Sequence, residues 1–222
     1  MNHASTYNKT TQNLSKKDSL ARLVSDLINP LLLPPVVIGL ASWMLGLPAS
    51  SLSLIIVVCI FFYTLVPASA TFYLLKKNHI SSLDLPERRS RGRLFLFSIA
   101  CAAVAFLCLR FILVFAHPLP GTLAFVFLLN PFIGFLINLK WKMSIHTAAL
   151  STAGAIFFVF SYLNLSGSAW GDVLPVFILL LLMPPVIWSR YRLSIHSMSE
   201  LLGGAVAGFL LTVIELSLLI NL

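Results

Sequence analysis

The chain has 222 residues, 59% hydrophobic and 10% charged, with a mean hydropathy of +0.96. A soluble domain of this size cannot bury so much apolar surface, so lipid must form part of its solvent. The net charge of +8 does not point to nucleic acid, because the basic residues are few and scattered among apolar runs; a membrane surface or an anionic lipid headgroup suits it better.

Residues 1–25 read as a polar N-terminal tail, too long for the n-region of a signal peptide. The apolar run that follows has no small-residue cleavage site and is expected to stay, so 26–222 read as one membrane-embedded helical domain. A crossing helix needs about 20 apolar residues. Runs that reach or approach this lie at 27–47, 52–75, 94–116, 119–139, 146–163, 172–188 and 197–220. The expected fold is all-α, a polytopic transmembrane bundle of about six to seven spans. The fifth and sixth runs are short, and one of them is expected to tilt or to cross incompletely. Pro30, Pro34 and Pro35 in the first run, and Pro184 and Pro185 in the sixth, should bend or end their helices unless neighbours satisfy the freed carbonyls. Cys59, Cys101 and Cys108 all fall inside apolar runs and read as small core or lipid-facing residues. Trp43, Trp141, Trp170 and Trp188 fall near predicted helix ends, as interfacial anchors do.

With seven crossings, the loops alternate in side and the charge sorts. The tail carries Lys9, Lys16, Lys17 and Arg22; the second connection from the same side carries Lys76, Lys77, Arg88, Arg89, Arg91 and Arg93. Lys140 and Lys142, then Arg190 and Arg192, complete that side, which holds all but one of the 15 basic residues. The positive-inside rule makes it cytoplasmic.

Three polar segments interrupt apolar sequence on the loaded side. They are Ser82 to Arg93, Lys140 to His146 at the start of the fifth helix, and Ser189 to Glu200 at the start of the seventh. Arginines offer planar, bidentate donors to phosphoryl oxygens, and a serine hydroxyl or helix N-terminal amides add further donors. Two histidines supply what phosphoryl transfer needs beyond binding, one to attack phosphorus and one to protonate the leaving oxygen. His196 and Glu200 are four apart, which on a helix puts them on one face. There the carboxylate accepts from one imidazole nitrogen and leaves the other free to attack.

These segments resemble the type 2 phosphatidic acid phosphatase superfamily, whose motifs are K-x6-R-P, P-S-G-H and S-R-x5-H-x3-D. Ser189-Arg190-x5-His196-x3-Glu200 matches the third motif, with Glu for Asp. Ser144-Ile145-His146 resembles the second, with Ile for Gly, and Asp84-x6-Arg91-Gly92 sits where the first would fall, with Asp for Lys and Gly for Pro. The pattern, from about Ile80 to Gly208, looks like a divergent bacterial branch of that superfamily, which implies residence in the inner membrane.

The resemblance implies that His196 is a nucleophile forming a phosphohistidine, that Glu200 orients it and that His146 is the general acid. Arg91, Ser144 and Arg190 would hold the phosphoryl oxygens, with Lys142 or Arg88 replacing the missing first-motif lysine. It implies hydrolysis or transfer at a lipid phosphate or polyprenyl diphosphate with no metal or other cofactor. The alternative is a lipid-phosphate binder whose chemistry has lapsed, which Asp84 and Ile145 motivate.

Four other features have structural readings. Arg110 and Glu215 lie about a turn from the uncharged side and are expected to pair, since an isolated charge at membrane depth costs about 2.5–3.5 kcal/mol on insertion scales. Gly204-x3-Gly208 should permit close helix contact. His117 reads as structural, while His79, nearer the first loop, lies within reach of a headgroup.

Overall fold

The computed structural model describes residues 15–77, 88–112, 117–165 and 169–220, and for 88–91 and 112 the backbone alone. Among the described residues there are eight helices and no strand. They are α1 (Lys16–Leu27), α2 (Leu33–Met44), α3 (Ala49–Lys76), α4 (Arg88–Leu107), α5 (Leu119–Asn138), α6 (Ile145–Tyr162), α7 (Trp170–Arg192) and α8 (Met198–Ile220). From α3 onward each is long and apolar enough to cross a membrane, α4 over Gly92–Phe111. The chain is a polytopic helical bundle.

The first apolar run is where expectation and structure part. It yields a 12-residue helix, α2, which at 1.5 Å per residue is only about 18 Å long. The cause is local. Asn29 Oδ1 accepts from the Leu31 amide at 2.9 Å, Leu32 N–H donates to the Asn29 carbonyl at 2.9 Å, and the chain turns at Pro30. Pro34 and Pro35 then open α2, where a missing N–H does no harm. The Leu31 carbonyl freed by the turn accepts from Thr64 Oγ1 of α3 at 2.7 Å. The tail also holds more order than a polar stretch implies, because Lys16–Leu27 forms α1.

The other prolines are absorbed without a break. In α3 and α7 the backbone widens into π-helix over Ile60–Leu65 and Phe177–Leu182, just ahead of Pro67 and of Pro184-Pro185. A wider turn relieves the clash between a proline ring and the carbonyl four residues earlier.

The short fifth run turns out to be the centre of the bundle. In α6, 61% of the most apolar window is buried, against 17–39% for the other spans. Its 18 residues reach about 27 Å, and protein rather than lipid surrounds it. α2, α7 and α8 pack on it, and α5 reaches it through Asn130. Small residues allow the closest approach, along α8. A Cβ on Gly204 would lie 2.5 Å from the Ser144 carbonyl oxygen, and one on Gly208 would drive into the Ala148 carbonyl. Between helices lipid supplies no hydrophobic drive, so polar bonds add specificity. Asn130 Nδ2 of α5 donates to Thr152 of α6 at 3.1 Å and to Thr212 of α8 at 2.7 Å.

The expected pairing of Arg110 with Glu215 does not form. Arg110 is exposed, packs against Gly121 and lies 5.8 Å from the Phe111 ring centroid. Glu215 is buried, and neither carboxylate oxygen has a hydrogen-bond partner among the described residues. The reason is placement. The end of α4 packs on α3 and α5, whereas α8 packs on α5, α6 and α7, so equal depth did not mean the same side of the bundle. Trp43, Trp141, Trp170 and Trp188 are all exposed near helix ends, as membrane anchors should be.

Candidate active site

One end of the bundle gathers the loaded segments. α4 begins where α5 ends, with the Phe95 ring 6.0 Å from that of Phe135. α6 and α8 start side by side and run parallel. Ser144 N–H donates to the Glu200 carbonyl at 3.1 Å, and Thr147 Oγ1 donates to the Leu201 carbonyl at 2.8 Å. Lys142 Nζ donates to the Ile195 carbonyl at 2.5 Å, which ties the α5–α6 connection to the α7–α8 connection. The segments Lys140 to His146 and Ser189 to Glu200 are therefore neighbours.

His196 is placed by two local devices in succession. α7 closes on Leu193 with Ser194 in the left-handed region at φ 54°. Ser194 N–H donates to the Tyr191 carbonyl at 2.9 Å, and Ile195 N–H to the Arg190 carbonyl at 3.2 Å. This is a Schellman closure. Gly46 and Asn164 close α2 and α6 in the same way, but there the residues are types that adopt this conformation readily. Serine is not such a type.

Two residues later α8 opens with a capping box. Glu200 N–H donates to Ser197 Oγ at 3.4 Å, and Glu200 Oε2 accepts from Ser197 N–H at 3.2 Å. The same Oε2 lies 2.9 Å from His196 Nδ1. His196 thus precedes α8 instead of sharing a helical face with Glu200. The pair meets because the box folds the carboxylate back toward the helix start.

Glu200 engages Nδ1, so Nε2 is the nitrogen left to meet a ligand, and the ring lines an open cavity. That cavity, about 750 Å³, is also bordered by Lys142, Trp188, Tyr191, Arg192 and Glu200. Burial holds the His196 imidazole below its ordinary 6.5. The Glu200 carboxylate pulls the other way, and Arg190 and Lys142 add to the depression. At neutral pH the ring is therefore mainly uncharged.

The other half of the site is held from a distance. Arg190, on the last turn of α7, is buried, and its Nη1 donates to Ser25 Oγ of α1 at 2.8 Å. The same oxygen lies 3.5 Å from His146 Nε2, in the first turn of α6. Ser25 Oγ thus joins Arg190 and His146 in one cluster. Ser144, the N-cap of α6, is fully buried; its hydroxyl makes no cap bond and has no partner among the described residues. The uncapped start of α6, with its buried hydroxyl, lies two residues from His146, whose Ser25 partner also holds the Arg190 guanidinium; these donor types suit an anion. His146, Arg190 and Ser144 do not border the cavity.

Arg88 and Arg91 open α4 at this same end, with side chains outside the described residues; Asp84 and His79 lie outside them altogether. His117 accepts from the Leu119 amide at 3.2 Å and so caps α5, a structural task. Sequence reading missed α1. Asp18 pairs with Arg192 Nε at 2.9 Å, and Ser25 joins Arg190 to His146. The one available signal was the spacing of Asp18, Ala21 and Ser25, small or polar residues on one helical face opposite a leucine stripe. No His, Cys, Asp or Glu cluster able to hold a metal ion occurs among the described residues. No protein-family model, curated protein or solved structure matches the chain.

Proposed function

We propose that the chain is a membrane phosphatase or phosphotransferase acting on a lipid phosphate or polyprenyl diphosphate through a phosphohistidine. The observation that carries this reading is the His196–Glu200 pair. A half-buried carboxylate fixed by its own capping box holds Nδ1, and the ring lines a cavity bordered by cations.

In this scheme His196 Nε2 attacks phosphorus and the bond to the leaving oxygen breaks, with His146 giving that oxygen its proton. Water then attacks the phosphohistidine, His146 takes the water's proton, and His196 leaves with the N–P electron pair. Arg190, Ser144 and the first-turn amides of α6 hold the non-bridging oxygens, whose charge grows in the transition state. Lys142, Arg88 and Arg91 add positive potential at the same end. Glu200 keeps the nucleophile in one tautomer and orientation.

The test is phosphate release from phosphatidate and from a polyprenyl diphosphate by purified protein in lipid nanodiscs, with and without chelator. Turnover should collapse in His196→Ala and survive His117→Ala; equal rates in the two variants would remove His196 from the mechanism. The withdrawal of His146 and Arg190 from the cavity favours a second reading, a lipid-phosphate binder without turnover. Phosphatidate binding that persists in His196→Ala, with no phosphate release by the parent protein, would establish it.

We place the site end on the cytoplasmic face of a bacterial inner membrane, from the sorting of basic residues. A cysteine introduced at Lys140 should react with an impermeant maleimide in inverted vesicles and stay protected in intact cells.

A further inference from the structure

We infer that Ser25 is a positioning residue of the phosphate site and that α1, which precedes every span, is part of that site; this rests on the reading just given. Ser25 is 3% exposed. A hydroxyl has two acceptor lone pairs and one proton. One lone pair takes the Arg190 Nη1 donor at 2.8 Å, and the proton remains for a second acceptor. In the structure His146 Nε2, 3.5 Å away, stands at that position. With substrate bound, a phosphoryl oxygen between Arg190 and His146 would take its place. Ser25 therefore sets the direction of the guanidinium and spaces it from the general acid.

The placement of α1 follows from its two faces. Asp18, Ala21 and Ser25 share the face turned to α7. Asp18 pairs with Arg192, Ala21 is fully buried, and Ser25 reaches Arg190. Both arginines flanking Tyr191 thus have an acceptor on this one helix. The opposite face exposes Leu20, Leu23 and Leu27, with Lys16, Lys17 and Arg22 also exposed. Such a helix lies in the interface, leucines in the acyl boundary and cations at anionic headgroups. A wholly polar tail would need neither a buried serine nor an apolar stripe.

The experiment compares full-length Ser25→Ala and Ser25→Thr with the parent in nanodiscs containing phosphatidate. Three quantities are read: KM, kcat and the inhibition constant of inorganic phosphate. In Ser25→Ala, KM and the phosphate inhibition constant should each rise about tenfold, with kcat falling less and the melting temperature unchanged. Ser25→Thr, which restores the hydroxyl, should return both to within about twofold. Unchanged constants in Ser25→Ala overturn the inference, as does a gain in activity, which would make Ser25 a plug. A threonine variant as weak as the alanine one, with a lowered melting temperature, would reduce Ser25 to packing. If the parent shows no turnover, the proposed function fails, and phosphorus NMR titration with inorganic phosphate still decides this point. Weaker binding by Ser25→Ala upholds the positioning role; equal or undetectable binding by parent and variant ends it.

Discussion

The two histidines at the loaded end are held in opposite ways. His196 is fixed by neighbours in sequence: a Schellman turn at Ser194 on one side and the Ser197–Glu200 capping box on the other. His146 and its arginine are fixed by Ser25, 121 and 165 residues away. The first half is open to a cavity and the second is covered. A locally built half survives changes elsewhere in the bundle, whereas the other half depends on α1 staying docked. On the proposed function, the difference separates the part that would supply the nucleophile from the part that would receive the phosphoryl group.

The comparison can be broken or sharpened by experiment. The largest expected effect is on the local half: His196→Ala should lower phosphate release by at least about a thousandfold, measured against His117→Ala in the same nanodiscs. Glu200→Gln comes next. Glutamine still closes a capping box, so helix α8 should keep its stability while kcat falls about a hundredfold, since the amide no longer supports the imidazole's charge. Glu200→Ala should show that loss plus about 1 kcal/mol of destabilisation from the lost cap, and circular dichroism melts separate the two contributions.

A smaller effect lies in the pH profile. His196 titrates below its ordinary 6.5, and only the neutral ring attacks, so the acid limb of kcat/KM should lie below pH 6.5. Activity is retained above that limb and lost as pH falls through it. Lys142→Ala removes a nearby cation that opposes protonation, so the limb should move upward. A downward shift would contradict the electrostatic assignment.

Stability changes are smaller still. Ser194→Val puts a β-branched residue at φ 54° and should cost about 1–2 kcal/mol, with activity falling as His196 moves; Ser194→Gly should stay within about 0.5 kcal/mol of the parent. Asn130→Ala, remote from both halves, should cost about 0.6–1.7 kcal/mol and leave kcat unchanged. A strong loss of activity in that variant would mean that the bundle centre and the site are coupled.

The same contrast explains what the sequence disclosed. The long spans were legible because lipid imposes one requirement, about 20 apolar residues, and α3 to α8 meet or approach it. The first run failed as a span because Asn29 and Pro30 make a turn within an otherwise apolar stretch, and hydropathy does not weigh turn chemistry. The shortness of the fifth run meant centrality, which only packing discloses. The His196–Glu200 contact was readable since the segment that makes it spans only 12 residues, from Ser189 to Glu200. Even there the reason for the His196–Glu200 contact differed: a capping box, not a helical face. Ser25 is marked locally only by the face it shares with Asp18 and Ala21, which says nothing of a site; its meaning comes from an arginine on the seventh helix. The failed Arg110–Glu215 pairing is the same lesson in reverse, since two charges at similar depth carry no information about azimuth around the bundle.

One consequence of α1 concerns how the protein is handled. Membrane proteins are often shortened to begin just ahead of the first long hydrophobic segment. A version starting at residue 28 or later would keep all six long helices and both histidines, fold to the same bundle, and lack the hydroxyl that orients Arg190. Such a product would look intact by size and helicity, and, on the proposed function, weakened action on a lipid phosphate would be an artefact of the cut.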